Sequence, residues 1–253
     1  MTLHPDNLKD DTKEKEKEIL DLINENRGRE LMSIPASNFN FLIKTSSNLL
    51  NPLTYAITVN KRLEIIEILL LKLKELGDID KKKDPFPPLF CAIILKKKEI
   101  VNLLISSGAD LNYKNLNGDT PLSFAIKKNN LEIADLLIRL GADPNIPIGH
   151  NPNIPDKDRE TPLKIVINKI KNNQTDYIKY HSLVKSMIHH SRSYKIYQHI
   201  KNTLSKELGK NINVLSAFSS TLESIAEERE PPLPQPHEAS ATSFTPRNHQ
   251  PKK

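Results

Sequence analysis

Chemistry in this chain would have to come from one thiol, a cluster of histidines or a basic stretch near the C-terminus. Cys91 is the only cysteine, so no disulfide can form within the chain, which fits a reducing compartment. It lies in an apolar helical run, where a packed, inert thiol is expected rather than a nucleophile. His181, His189, His190 and His199 fall in one region, but their successive offsets are eight, one and nine. Metal ligands on a helix want offsets of three or four, so these residues read as a solvated polar face, with no metal site. The seven glycines stand at 28, 77, 108, 118, 141, 149 and 209, too far apart for a G-x-G-x-x-G or a phosphate-binding loop. No G-x-S-x-G or H-E-x-x-H occurs. No catalytic constellation, cofactor or enzymatic activity is expected.

The basic stretch is more informative. Between Thr161 and Lys210, nine lysines and Arg192 face only Asp176 and Glu207, a net +8 against +6 for all 253 residues. Tyr177, Tyr180, Tyr194 and Tyr197 are interleaved with these charges. We read the segment as the polar outer face of a terminal cap, with the tyrosines as its packing. The alternative is a patch for nucleic acid or an anionic membrane, carried by Lys179, Lys185, Arg192, Lys195 and Lys201.

The elements that would position any site follow from a repeated pattern. From Asn117 to Asn145 the chain reads N-G-D-T-P-L-S-F-A-I-K-K-N-N-L-E-I-A-D-L-L-I-R-L-G-A-D-P-N. Thr120 is placed as an N-cap, with Pro121 at the first helical position, where a missing N–H costs nothing. Leu122, Ala125 and Ile126 share one helical face, Asn129-Asn130 breaks the helix, and Ile133, Leu136 and Leu137 mark a second helix ended by Gly141. Pro88 stands 33 residues before Pro121, and P-L-F-C-A-I-I-L-K-K-K-E-I-V-N-L-L-I-S-S-G-A-D-L-N copies the unit. Cys91 then matches Phe124 and Tyr55 on the inner helix.

The pattern T-P-L…A…E-I…L-L…G-A-D-x-N resembles the ankyrin repeat, strongly over residues 86–146 and more loosely over about 50–190. The resemblance implies an all-α, helix-turn-helix solenoid with β-hairpin-like finger loops, a class that suits the low hydrophobic fraction of 37%. Repeats are placed at about 51–84, 85–117, 118–150 and 158–190. A flexible lead-in is expected over 1–13 and a degenerate N-terminal capping unit over 14–50. Within that unit, Ile19, Leu22 and Ile23 face inward on what looks like a second helix, and Pro35 and Phe39-Asn40 look like the remnant of a finger. A C-terminal helical cap is expected over 191–229 and a disordered Pro-rich tail over 230–253. In that tail Pro231-Pro232-Leu233-Pro234 resembles a ligand of some WW domains, but an unread, solvated tail is the preferred reading.

Two units deviate in length. Pro52 to Pro88 is 36 residues, assigned mainly to about one extra turn in the second helix. Gly141 to Pro162 is 21 residues against 13 from Gly108 to Pro121, and Pro144-Asn145-Ile146-Pro147 recurs as Pro152-Asn153-Ile154-Pro155. A local duplication accounts for both facts and predicts a stiff, projecting finger. Where the family places histidine after Thr-Pro-Leu, this chain has Thr54, Phe90, Ser123 and Lys164. The bonds between repeats that histidine makes are therefore expected to be missing, with stability carried by the two central repeats.

What the resemblance implies about function is a non-enzymatic scaffold that binds a protein partner on its concave face and fingers. The partner's identity is unknown, and the chain is expected to be a monomer. The family's contact positions fall at Thr58-Val59, Ile94-Leu95, Lys127-Lys128 and Asn168-Lys169. Val59, Ile94 and Leu95 would form an apolar contact flanked by Lys127 and Lys128, with Lys82, Tyr113, Asn115 and Asn153 contributing from the fingers. Packing of Ile94 and Leu95 beneath the neighbouring unit is the equally weighted alternative. With neither a signal-like N-terminus nor a membrane-length apolar run, a cytoplasmic protein is expected. Delivery into a host, as for ankyrin effectors of intracellular bacteria, is a second setting consistent with the resemblance.

Overall fold

A computed structural model describes residues 5–45, 49–77, 87–149, 153–155, 158–172, 177–190 and 194–208. The Pro-rich tail, Lys82 and Arg192 lie outside the described residues. Helices are paired as the repeat pattern requires. The inner helices are α3 (Pro52–Thr58), α5 (Pro88–Ile94), α7 (Pro121–Lys127) and α9 (Pro162–Asn172). Each is followed by an outer helix: α4 (Leu63–Glu75), α6 (Lys98–Ser106), α8 (Leu131–Leu140) and α10 (Tyr177–His189). Inner helices stack in chain order, α10 packs on α8 and α9, and α11 (Tyr194–Leu208) packs on α9. One apolar core runs through the stack from Ile19 to Leu204.

Local chemistry explains the helix starts. Asn51 Oδ1 accepts Thr54 N–H at 2.7 Å, Thr120 Oγ1 accepts Ser123 N–H at 3.2 Å, and Thr161 Oγ1 accepts Lys164 N–H at 3.2 Å. Only α5 among these starts from a residue without a capping side chain, Pro87. Gly141, at φ 99°, ends α8 as expected. The extra turn assigned to the first full unit is present: α4 has 13 residues against 9 in α6.

The N-terminal unit corrects three expectations. Its helix α1 spans Pro5–Glu25, so it includes most of the segment expected as a flexible lead-in. This helix stands in the inner position, not the outer one. Asn26 turns the chain at φ 56°, and Arg27 N–H donates to Leu22 O, as Lys61 N–H does to Ala56 O and Lys97 N–H to Ala92 O. The outer position is held by the short α2 (Gly28–Ser33), which packs on α4. The finger is not at 35–40, where Phe39 is instead buried in a 3-10 turn. It is the antiparallel pair β1 (Ile43–Lys44) and β2 (Leu49–Leu50), leading straight into the Asn51 cap.

Two later fingers are each closed by a backbone bond at a matching place. Asn115 N–H donates to Asp119 O at 3.0 Å, and at the matching place Ile148 N–H donates to Glu160 O at 2.8 Å. Three residues lie between the first bonded pair and eleven between the second, so the eight added residues fall between two matching bonds and leave the stack in register. Fingers also touch each other. Gly149 N–H donates to Gly118 O at 3.0 Å, and a Cβ on Gly118, whose φ is 74°, would stand 2.6 Å from Gly149 backbone.

Bonds between repeats are made from the turns that follow the inner helices. Lys61 Nζ donates to Asn24 O at 2.7 Å, Lys97 Nζ to Ile57 O at 2.7 Å, and Asn130 Nδ2 to Ile93 O at 3.0 Å. Each brings a donor from the next repeat to a carbonyl near the C-terminus of the preceding inner helix. Tyr180 continues the series by donating its hydroxyl to Asn129 Oδ1 at 2.8 Å.

Candidate partner-binding face

The C-terminal ends of the inner helices are brought side by side by the stack. Val59, Leu95 and Lys128 are the C-caps of α3, α5 and α7, so they occupy one position in three neighbouring repeats. Packed helices stand about 8–10 Å apart, which puts these residues in one row. Val59 and Ile94 are each 42% exposed and Leu95 41%. Packing of Ile94 and Leu95 beneath the next unit does not occur.

The sequence pattern could not settle this because Ile93 and Ile94 differ only in helical phase at the last turn. Ile93 takes the core and is fully buried.

The charged side of the row is narrower than expected. Lys127 Nζ is 2.6 Å from Asp119 Oδ1, whose side chain is nearly buried in the adjoining finger, so much of its charge is matched internally. Lys128 is exposed, with Nζ 5.5 Å from the Phe124 ring centroid, and keeps its charge toward solvent. Asn168 is exposed, and Lys169 Nζ lies 5.6 Å from the Tyr180 ring centroid.

Among the finger residues, Asn115 Oδ1 accepts the N–H groups of Asn117 and Asp119, both at 2.9 Å, and so shapes the turn. Tyr113 is half-buried against the core. Asn153 is exposed in the long finger. The residue that sequence reasoning missed is Leu116, 70% exposed at the tip of the 115–119 turn. An apolar residue between two asparagines in a tight turn was the available signal. Ile154, 40% exposed, holds a similar place in the inserted finger, where Arg159 Nε donates to its carbonyl at 2.9 Å.

In the basic segment one of the four tyrosines has a described side chain. Tyr180 is 3% exposed and tied to Asn129, so it packs instead of presenting a ring. Lys179 is exposed on α10, while Lys185 and, on α11, Lys201 are half-buried. Lys195 belongs to α11, with its side chain outside the described residues. Among the described residues no helix is long and apolar enough to cross a membrane.

The family model for ankyrin repeats matches residues 53–148 as three copies, the span from α3 to the start of the inserted finger. Over 64 residues the chain is 45% identical to a putative ankyrin repeat protein of Rickettsia bellii, covering 25% of this chain and 33% of that protein. A putative ankyrin repeat protein of fowlpox virus is 29% identical over 130 residues, 51% of this chain and 35% of the viral one. The ankyrin repeat and KH domain-containing protein mask-1 of Caenorhabditis elegans is 53% identical over 47 residues, 18% of this chain and 2% of that protein. The chain thus spans about a third or less of the length of each of these relatives. Helix pairs stacked in register, fingers closed at matching positions and three matched copies lead to one conclusion: residues 53–148 of this chain are ankyrin repeats.

Proposed function

We propose that this protein is a non-enzymatic scaffold that holds a protein partner on the row Val59, Ile94 and Leu95 and on Leu116 at the finger tip. Ankyrin repeats are protein-interaction modules, and the reading of this particular face rests on one observation. Four apolar side chains stand 41–70% exposed at the inner-helix ends and the finger tip. Burying a whole aliphatic side chain is worth about 1.5–3 kcal/mol. Covering the exposed part of these four would supply roughly 3–5 kcal/mol, enough to anchor an interface whose rim is polar. Lys128 on one edge favours a partner with acidic groups there.

The test uses the full chain with a photo-crosslinking residue at Leu116, beside the same protein carrying Ile94→Asp and Leu95→Asp. The expected result is salt-tolerant crosslinking to one protein species, lost in the double variant while its circular dichroism is unchanged. Crosslinking that survives the double variant would sink the site assignment. Binding that instead falls steeply with salt and tracks Lys179 and Lys201 would transfer the function to a phosphate-rich or membrane surface.

A further inference from the structure

At the ends of the inner helices away from the fingers, the α3–α4 and α5–α6 turns leave an open groove of about 420 Å³. That volume lies within the range of sites that hold small groups or a few residues of peptide. Its apolar side is made by Leu63, Ile66 and Ile100, of which Leu63 is 44% exposed. Lys61, Lys96 and Lys97 line it as well, and the sequence reading singled out none of these three.

The state of these lysines points to what is missing. Lys97 Nζ donates to Ile57 O and to Asn60 Oδ1, each at 2.7 Å, and both acceptors are neutral. An ammonium has three N–H donors, so one remains without an acceptor among the described residues. Burial holds the Lys97 pKa below the ordinary lysine value, and no carboxylate offsets that effect. Lys61 likewise rests on a neutral carbonyl, Asn24 O. Lys98, also on the groove, is paired with Glu132 at 2.7 Å. Lys96 is exposed and makes no ion pair among the described residues. Three positive charges thus converge on an apolar strip with Glu99 as the one acidic group in the lining.

We propose that this groove is a second docking site, separate from the Val59–Leu95 row. It would take an acidic segment of a partner polypeptide that carries an apolar residue beside its carboxylates. A glutamate or aspartate side chain accepts the open N–H of Lys97 and supplies the absent counter-charge, while the apolar neighbour covers Leu63. A phosphate-bearing ligand with no apolar neighbour is the poorer fit, since it leaves Leu63 uncovered.

The experiment is fluorescence anisotropy of the full chain with a fluorescein-labelled peptide of repeating Glu-Glu-Leu triplets, run at two salt concentrations. Lys96→Asn with Leu63→Gln is expected to weaken binding about tenfold. Lys96→Asn keeps a residue that tolerates a positive φ, so the turn is retained. Replacing the peptide leucines by serine should weaken binding several-fold, and Ile94→Ser with Leu95→Ser should leave it unchanged. The proposal is overturned if the chain does not bind the peptide up to about 1 mM. Equal binding by the Lys96→Asn, Leu63→Gln variant overturns it too. So does equal binding of the leucine-free peptide, or of a single-stranded oligonucleotide through the same residues. Loss of binding in the Ile94→Ser, Leu95→Ser variant would merge the two sites and refute their separateness.

Discussion

Four helix-to-helix turns in this chain pass through one residue with a positive φ: Asn26 at 56°, Asn60 at 57°, Lys96 at 56° and Asn129 at 55°. Asparagine tolerates that region, but for lysine it brings Cβ against the following carbonyl at roughly 1–2 kcal/mol. Lys96→Gly removes this strain, and the exposed Lys96 side chain holds nothing in the fold that would be lost. Glycine costs about 0.5–1 kcal/mol of extra chain entropy in return. The net expectation is a gain of about 0.5–1 kcal/mol. For a chain of this size that is a rise in Tm of roughly 1–4 °C. The companion change Asn60→Lys makes the comparison sharp. It introduces the same strain and also removes the acceptor for Lys97 Nζ at 2.7 Å, a bond to a charged group worth about 1.5–3 kcal/mol. It should cost about 2.5–5 kcal/mol. Urea melts followed by far-UV circular dichroism measure both, provided the m-value is unchanged. Lys96→Gly that is neutral or worse, with Asn60→Lys costing under about 0.5 kcal/mol, would refute the assignment of strain to this turn.

Other outcomes follow from the same contacts. Gly118→Ala places a Cβ 2.6 Å from Gly149 backbone at a φ of 74°, so the two fingers must separate. A loss of about 2 kcal/mol or more is expected in the same melts. Asn26 Oδ1 is buried without a partner, and Asn26→Gly keeps the turn while removing it, which should stabilise the chain by about 1 kcal/mol. Burial lowers the Lys97 pKa in the folded state, so between that value and the ordinary lysine range the unfolded chain binds more protons. Stability from this group is therefore least below its folded pKa and rises as pH climbs toward the unfolded value. The stability of wild type relative to Lys97→Met should rise with pH across that window, and a flat difference would refute it. Ile94→Asp with Leu95→Asp should shift stability by under about 1 kcal/mol, because both side chains are already 41–42% exposed.

The legible parts of this protein were those written in local spacing. Pro52, Pro88, Pro121 and Pro162 each open an inner helix, as their placement after Asn51, Pro87, Thr120 and Thr161 implies. The lengthened α4 and the inserted finger were readable because both change a count between fixed landmarks. The role of α1 was misread. Its Ile19, Leu22 and Ile23 stripe is buried either way, and the Asn26 turn together with the bonds Lys61–Asn24 and Tyr55–Asn24 places it as an inner helix. The missing histidines were noted correctly, but their replacement was invisible. A lysine beside a turn looks like solvated surface until its ammonium is found on the carbonyl of the preceding repeat.

Composition and period by themselves determined that the chain is a solenoid of helix pairs. A unit with one apolar stripe has no other way to leave water than to stack on copies of itself. Tertiary structure alone decided which apolar residues stay outside that stack. Ile93 and Ile94 are neighbours of one type, yet the last turn of α5 buries the first completely and leaves the second 42% exposed. It also decided that Leu116 stands at a finger tip and that Lys97 faces an open groove with a donor to spare. These depend on how one repeat is rotated against the next, a geometry set by contacts such as those 37 and 40 residues apart, which no local pattern encodes.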